Sequence, residues 1–326
     1  MILTATRFLF VGVLLVLSAR TSAAAERPTG KASFSQAELA AIAHFKAVIH
    51  PVQGVRVSLG ADDITPADWA QLKQLKSLEV LWLNYSSTSD ADLVHLQGLT
   101  NLRELRIAKT KVRGPGLAHL KHLKKLETLS LCCMPFDDDG LAYVAPHTNL
   151  KWLSVSHSSI SDAGLVHLKG LTKLKHLDLG ASKITHAGLV HLAPLKQLES
   201  LSFSHHRTIR GSGFRSLAAL PKLQKLDLTF TQFTNAAYLK KVKSLRELHL
   251  DGSLVTDASL VALKALPHLE TLSLSSTRIT KAGMKHLAEM HQLRMLRLSY
   301  TQLSDAGLKH LAGLKHLERL ELSRVP

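Results

Sequence analysis

The sequence predicts an α/β solenoid with a parallel β-sheet on its concave face and short α-helices on its convex face. Three observations predict it. A leucine pattern returns every 24 residues, about eleven times, and fills the chain after residue 50. Leu102, Leu126, Leu150, Leu174 and Leu198 open successive copies, as do Leu245, Leu269, Leu293 and Leu317. The copy LKWLSVSHSSISDAGLVHLKGLTK (Leu150 to Lys173) lies over LRMLRLSYTQLSDAGLKHLAGLKH (Leu293 to His316) without a gap. Inside each copy an alternating apolar run is followed by a hydroxyl residue and then by leucines at helical spacing. A unit of this length buries its apolar face only against its neighbours, so the copies must stack.

The elements follow in chain order. Arg7, the apolar run Phe8 to Leu17 and Ala23-Ala24-Ala25 before Glu26 read as a secretory signal over residues 1–25. Ten apolar residues are fewer than the roughly 20 needed to cross a bilayer. An uncleaved anchor is the alternative. Residues 26–33, with Pro28 and Gly30, read as a linker. Residues 34–53 read as an N-terminal helical cap: Ser35 and Glu38 form a capping box, Phe34 and Leu39 a hydrophobic staple, and Leu39, Ile42 and Ile49 an apolar stripe.

The repeat array runs from residue 54 to 326. With Leu102 as position 1, Leu105 and Ile107 at positions 4 and 6 alternate as a half-buried strand. Position 11 is apolar, as in Val112, Ile160 and Ile184. Position 12 is usually a hydroxyl, as in Thr65, Ser89, Ser161, Thr185, Thr256, Thr280 and Ser304, and is expected to be the helix N-cap. Asp162, Asp257 and Asp305 then suit the first helical turn. Leu165, Leu168 and Leu171, at positions 16, 19 and 22, complete the helix. The copy from Leu198 has 25 residues and the next, from Leu223, has 22. Two consecutive faults predict a local kink. The chain stops at Pro326, just past the strand of Leu317, Leu320 and Leu322, and the oligomeric state is left open.

The motif L-x-x-L-x-L followed by [ST]-D-A-G-L-x-x-L-x-x-L resembles the leucine-rich repeat family, most nearly the bacterial 24-residue variety related to the cysteine-containing repeats. Where those relatives hold Asn or Cys at position 9, this chain has Thr110, Ser158, Ser182, Thr231, Ser253, Thr277 and Thr301, expected to satisfy turn backbone groups. The resemblance implies recognition through the concave face and gives no sign of an F-box-like segment.

Charge narrows the partner. The chain carries a net charge of +16, and loss of the signal removes Arg7 and Arg20 to leave +14. Such a balance favours polyanions, and export makes nucleic acid the least natural of them. Arg56, Arg106, Lys109, Lys225, Arg297, Arg319 and Arg324 on the concave lanes are balanced, to within one charge, by Glu104, Asp178, Asp227, Glu247, Asp251 and Glu321. The excess is therefore expected on helices, edges and the N-terminal region. Cys132 and Cys133 are adjacent, too close for an unstrained disulfide.

The expected function is an exported, non-enzymatic scaffold that recognises a protein partner through its concave face. The alternative is an envelope structural protein whose basic convex side binds anionic wall polymer or membrane. Candidate contact residues are Trp82, Tyr85, Trp152, His157, His176, Asp178, Phe230, His249 and Tyr300. No cofactor, metal or catalytic residue is expected. Cys133 beside His157 could form a nucleophile–base pair, though two neighbours on a polar face account for it; Asp227, His249 and Asp251 could hold a divalent cation, and a charge-compensated histidine explains them equally well. His95, His119, His167, His191, His286 and His310 share one repeated slot and are read as copies.

Overall fold

A computed structural model of the chain describes residues 34–45, 48–50, 54–59 and 64–324; the expected signal and linker lie outside the described residues, as does part of the cap. One sheet holds thirteen strands in sequence order. They are β1 (Val48–His50), β2 (Gly54–Ser58), β3 (Leu78–Trp82), β4 (Glu104–Arg106), β5 (Thr128–Ser130), β6 (Trp152–Ser154) and β7 (His176–Asp178). Then come β8 (Ser200–Ser202), β9 (Lys225–Asp227), β10 (Glu247–His249), β11 (Thr271–Ser273), β12 (Met295–Arg297) and β13 (Arg319–Glu321). From β2 to β13 all pairing is parallel, with Trp152 beside His176 and Ser154 beside Asp178. Only β1 runs antiparallel, against β2.

The parallel register is a direct consequence of the repeat. Each strand offers apolar residues, mostly leucine, at positions 4 and 6 to the interior, and the connecting segment usually returns leucines at positions 16, 19 and 22. Leu153, Leu165, Leu168 and Leu171 are all fully buried, as are most of their counterparts along the array, while Leu320 in the last strand is 39% exposed. The core is one continuous leucine column, which no unit could build alone.

On the convex side the structure refines the helices. Ala91–Leu96, Pro115–Leu120, Gly164–Gly170, Gly188–Leu192 and Ser212–Ala219 are 3₁₀ helices. Leucines spaced three and three apart match a helix with three residues per turn better than one with 3.6. α-Helical turns occur at α1 (Gln36–His44), α2 (Pro66–Leu72), α3 (Asp138–Ala142), α4 (Asp257–Leu263), α5 (Met284–Leu287) and α6 (Asp305–Leu308). Thr65, Thr256 and Ser304 are N-caps as expected. Ser161, Thr185 and Thr280 are not: their hydroxyls donate to Asp138, Asp162 and Asp257 of the preceding unit. The aspartates therefore serve the neighbouring unit rather than their own helix.

The N-terminal cap departs from the expected stripe. The capping box is present, with Glu38 N–H donating to Ser35 Oγ at 3.2 Å and Ser35 N–H to Glu38 Oε2 at 3.1 Å. The same carboxylate accepts Ser77 N–H at 3.0 Å and so ties the cap to the first unit. Leu39, however, is 47% exposed, and Ile49 lies in β1 rather than on the helix. Ile42, the remaining residue of the expected stripe, packs against the core, together with Ala41.

The two faulty units are repaired with phenylalanine. Phe203 and Phe214 fill slots that hold aliphatic residues elsewhere, Phe233 takes the slot that Phe136 fills in an earlier unit, and all three are fully buried. Their rings meet edge to face, at 6.3 Å between Phe203 and Phe214 and 4.9 Å between Phe214 and Phe233.

Candidate functional site

Position 8 forms a lane unlike any other. From Tyr85 to Arg324 its residues have φ between 47° and 65°, in the left-handed region, and Gly252 is the one glycine in the lane. A left-handed conformation costs a residue with a Cβ about 1–2 kcal/mol. The lane persists because each position-8 N–H donates to the position-7 carbonyl of the next unit. Tyr85 reaches Ala108 at 2.9 Å, His157 reaches Gly180 at 2.8 Å, and Phe230 reaches Asp251 at 2.7 Å. Position 9 closes the same turn as expected: the hydroxyls of Thr110, Ser182 and Thr231 donate to the position-6 carbonyls of Ile107, Leu179 and Leu228. The geometry lifts position-8 side chains off the sheet into solvent. Tyr85, Phe230 and Tyr300 are 62%, 52% and 53% exposed.

Where the irregular units meet, this lane gathers into a cluster. The rings of His157 and His205 lie 6.5 Å apart across Ala181, and those of His205 and Phe230 lie 5.0 Å apart. Gly252 gives Phe230 its place, since a Cβ there would stand 2.4 Å from Phe230 Cδ1. An open depression of about 690 Å³ adjoins the rings, lined by His205, Arg207, Phe230, Gln232 and Gly252 among others. The extra residue of the 25-residue unit falls at Arg207–Thr208, so the insertion shapes this depression. His205, Arg207 and Gly252 are absent from the candidates read in the sequence. Their signals were present: His205 shares the lane of His157, and Gly252 is the lane's missing side chain.

The other candidates stand apart. Trp82 is half-buried, clamped between Arg56 at 3.8 Å and Arg106 at 5.0 Å, and its Nε1 donates to Glu104 Oε1 at 2.7 Å. Arg106 also lies 5.8 Å from the Trp152 ring. Trp152 has exposed His176 at its side in the register. Asp178 is committed to Ser154 Oγ at 2.9 Å and Gly180 N–H at 3.1 Å. Tyr85 pairs with Lys109 at 4.9 Å and Tyr300 with Arg324 at 5.6 Å. The nine candidates thus fall into separate groups along the sheet.

The ionisable constellations resolve into local pairs. His249 Nε2 meets Glu247 Oε1 at 2.5 Å, and Lys225 meets the same oxygen at 2.7 Å. Burial pushes the Glu247 carboxyl up, yet the hydrogen bonds from His249 and Lys225 outweigh it and leave it at about 2. Asp251 accepts from Ser273 Oγ and Ser275 N–H, and Asp227 from Thr229 N–H. Among the described residues no three His, Cys, Asp or Glu side chains converge as a metal site. Cys132 and Cys133 are free thiols, and no hydrogen bond joins Cys133 to His157 among the described residues. Arg297 pairs with Glu321 at 3.0 Å, as the lane alignment predicts.

The profile of the family described as leucine-rich repeat region matches residues 67–325. Among solved structures, an internalin (inlF) from Listeria monocytogenes is 21% identical, with 89% of this chain and 96% of that one covered and a TM-score of 0.56. A leucine-rich repeat protein of Leptospira interrogans is 19% identical, with 86% and 83% covered and a TM-score of 0.60. The plant peptide hormone receptor RGFR1, solved in complex with RGF2, is 20% identical, with 82% and 47% covered and a TM-score of 0.50. No curated protein matches in sequence. No helix among the described residues is long and apolar enough to cross a membrane.

Proposed function

The chain belongs to the leucine-rich repeat family, and from that premise we propose that it is an exported binding scaffold, not an enzyme, whose concave side takes a protein partner. The observation that carries this reading is the exposed ring cluster of His157, His205 and Phe230 beside the open depression at the irregular units. Aromatic side chains held in fixed conformations lose little entropy on binding and favour contact anchors. The backbone ladder already holds these rings in place. The peptide held by the plant receptor is consistent with an extended segment as occupant.

Photocrosslinking tests the reading. A benzophenone side chain placed at Gln232, inside the depression, is expected to capture a protein partner from envelope extract. The same group at Val190, exposed on the convex side, is expected to capture none. Phe230→Ala and His205→Ala are each expected to abolish the Gln232 product. Capture from Val190 with none from Gln232 would overturn the concave-side assignment.

A further inference from the structure

The excess positive charge has one address. Five residues close each of the eleven units, at positions 20–24, and lead from the convex side into the next strand. Over residues 73–316 these segments contain fourteen lysines, no arginine and a single acid, Glu289. Their net charge of +13 nearly equals the +14 of the chain without residues 1–25, so the remainder is close to neutral. Neither the concave lanes nor the helices carry the excess. It lies along one flank of the solenoid, opposite the flank that the left-handed lane borders.

The flank lysines are placed but not neutralised. Lys264 is the one that meets a carboxylate within 4 Å among the described residues, at 2.7 Å from Glu289. Others brace against neutral acceptors on a neighbouring unit: Lys125 on Asn101 at 2.7 Å, Lys173 on Asn149 at 2.6 Å, Lys196 on the Ala219 carbonyl at 2.9 Å, and Lys243 on the Ala265 carbonyl at 2.6 Å. The ammonium groups therefore form a row along this flank, carried by eight of its eleven segments. Beside that row, position 2 is an ion-pair ladder of mixed sign in which Arg103 bridges Glu79 at 3.2 Å and Glu127 at 3.1 Å, and Lys151 meets Glu127 at 2.7 Å. Five acids and five bases occupy that lane, which leaves it neutral. The positive track is narrow, bounded, and roughly 50 Å long at about 4.8 Å per strand.

We propose that this lysine flank is a second binding site, which takes a single linear polyanion, a chain with a phosphate or carboxylate at every repeating unit, laid along the solenoid. A small anion would meet one or two lysines; an extended chain meets the whole row. A planar anionic surface would also press on the carboxylates of the adjoining ladder. The eleven closing segments hold no Phe, Tyr or Trp, so they offer none of the large rings on which bases stack best and no interfacial anchor for a bilayer. Lysine without arginine suits point-charge contact with a mobile polymer rather than bidentate recognition of one group. The site is independent of the concave-side partner.

The test uses the chain from Glu26 and labelled inorganic polyphosphate of about one hundred units as probe, with binding read by fluorescence anisotropy at several salt concentrations. One variant replaces Lys124, Lys125, Lys169, Lys173, Lys196 and Lys222 with Gln. A charge-matched control replaces Lys111, Lys183, Arg210, Arg278, Lys281 and Lys309, all exposed and off the flank, with Gln. The flank variant is expected to bind at least about tenfold more weakly with a shallower salt dependence, while the control stays within about twofold of the parent. Equal weakening of both would reduce the effect to net charge and overturn the proposal. Binding to vesicles of 30% anionic lipid without binding to polyphosphate would overturn it in favour of a membrane surface. If the sixfold variant does not fold, the triple variants Lys124/Lys125/Lys173→Gln and Lys222/Lys240/Lys241→Gln carry the same comparison.

Discussion

Asp162 belongs to one unit and is held by Thr185 of the next, whose N–H and hydroxyl donate to the two carboxylate oxygens at 2.7 and 2.6 Å. The same carboxylate explains a glycine: a Cβ on Gly188 would stand 2.1 Å from Asp162 Oδ1. The relationship recurs with Asp138, Ser161 and Gly164, and with Asp257, Thr280 and Gly283. The S-D-A-G signature is thus a joint between units.

Breaking that joint has a defined cost. Asp162→Ala leaves the Thr185 N–H without its partner in a partly buried turn and should lower stability by about 1–3 kcal/mol. Gly188→Ala should be comparably harmful, because its methyl meets the carboxylate. In the double variant the clash is gone, so the two effects should fall short of additive by at least about 0.5 kcal/mol. Urea midpoints of the four proteins check this; simple additivity would dissolve the link between the two positions.

Acid should weaken the array through two histidines. His147 takes a leucine slot and is 2% exposed, with Nδ1 unpartnered; His206 takes a hydroxyl slot and is 1% exposed, near Ser182 and Thr208. Burial pushes both down to about 4. Above pH 6.5 both states keep these rings neutral, and stability is intact. Between 6.5 and 4 the unfolded chain takes up protons that the folded chain refuses, so stability falls with pH by about 3 kcal/mol per ring. His147→Leu restores the residue seen at Leu123 and Leu171. It should remove about 2–3 kcal/mol of the loss that denaturant melts record between pH 7.5 and 4.5, and an unaltered pH dependence would contradict the assignment.

The architecture was legible in the sequence because leucine, hydroxyl and glycine recur where one stacking geometry needs them. Leu153 and Leu177 fall in register simply because 24 residues separate them. The alignment of concave charges was legible too, down to Lys225 with Glu247 and Arg297 with Glu321. The lie of the helices was less so: leucines three apart were read as α-helical though their period is that of a 3₁₀ turn. Least legible was the ring cluster. It depends on the left-handed turn at position 8, which residues such as Tyr85 and Phe230 do not announce, since they rarely adopt it. The clamp on Trp82 was hidden for a related reason, as Arg56 and Arg106 flank it from separate units.

The left-handed lane predicts opposite effects for two small substitutions. Ala181 has φ 47°, so Ala181→Gly relieves strain, partly offset by a more flexible unfolded chain, and should leave stability unchanged or higher by up to about 1 kcal/mol. Gly252 has φ 62° and lies under Phe230, so Gly252→Ala adds strain and displaces the ring. A loss of about 1–3 kcal/mol in urea unfolding is expected there. Equal effects at both positions would contradict the lane.

The Cys132 thiol should react slowly with alkylating agents near neutral pH. Burial, with the neighbouring Cys133, pushes the Cys132 thiol up to about 11. In a Cys133→Ser protein, alkylation of Cys132 should be slow at pH 8 and still accelerating above pH 9.5, because the thiolate is the nucleophile. A rate that levels off near pH 9 would place the thiol in an ordinary environment.

The phenylalanine spine yields the last prediction. The unit from Leu223 is 22 residues long, and the missing residues fall on its convex side. A shorter connection brings the backbone in but leaves side-chain volume to fill, and Phe214 and Phe233 fill it with rings 4.9 Å apart at 75°. Phe214→Leu supplies the residue that regular units carry in this slot, as at Leu165 and Leu189. If the slot were ordinary, the change would cost less than about 1.5 kcal/mol, the usual range for well-matched hydrophobic exchanges. In the spine it should cost about 2–3 kcal/mol, from the cavity and the lost ring contact together. Phe233→Leu should behave likewise, and the pair should couple by about 0.5–1.5 kcal/mol, as contacting aromatics do. The ring cluster at His205 and Phe230 rests on the same two units, so partner capture from Gln232 should weaken in Phe214→Leu although residue 214 is fully buried. Capture at the parent level in that variant would show that the depression keeps its shape without the spine.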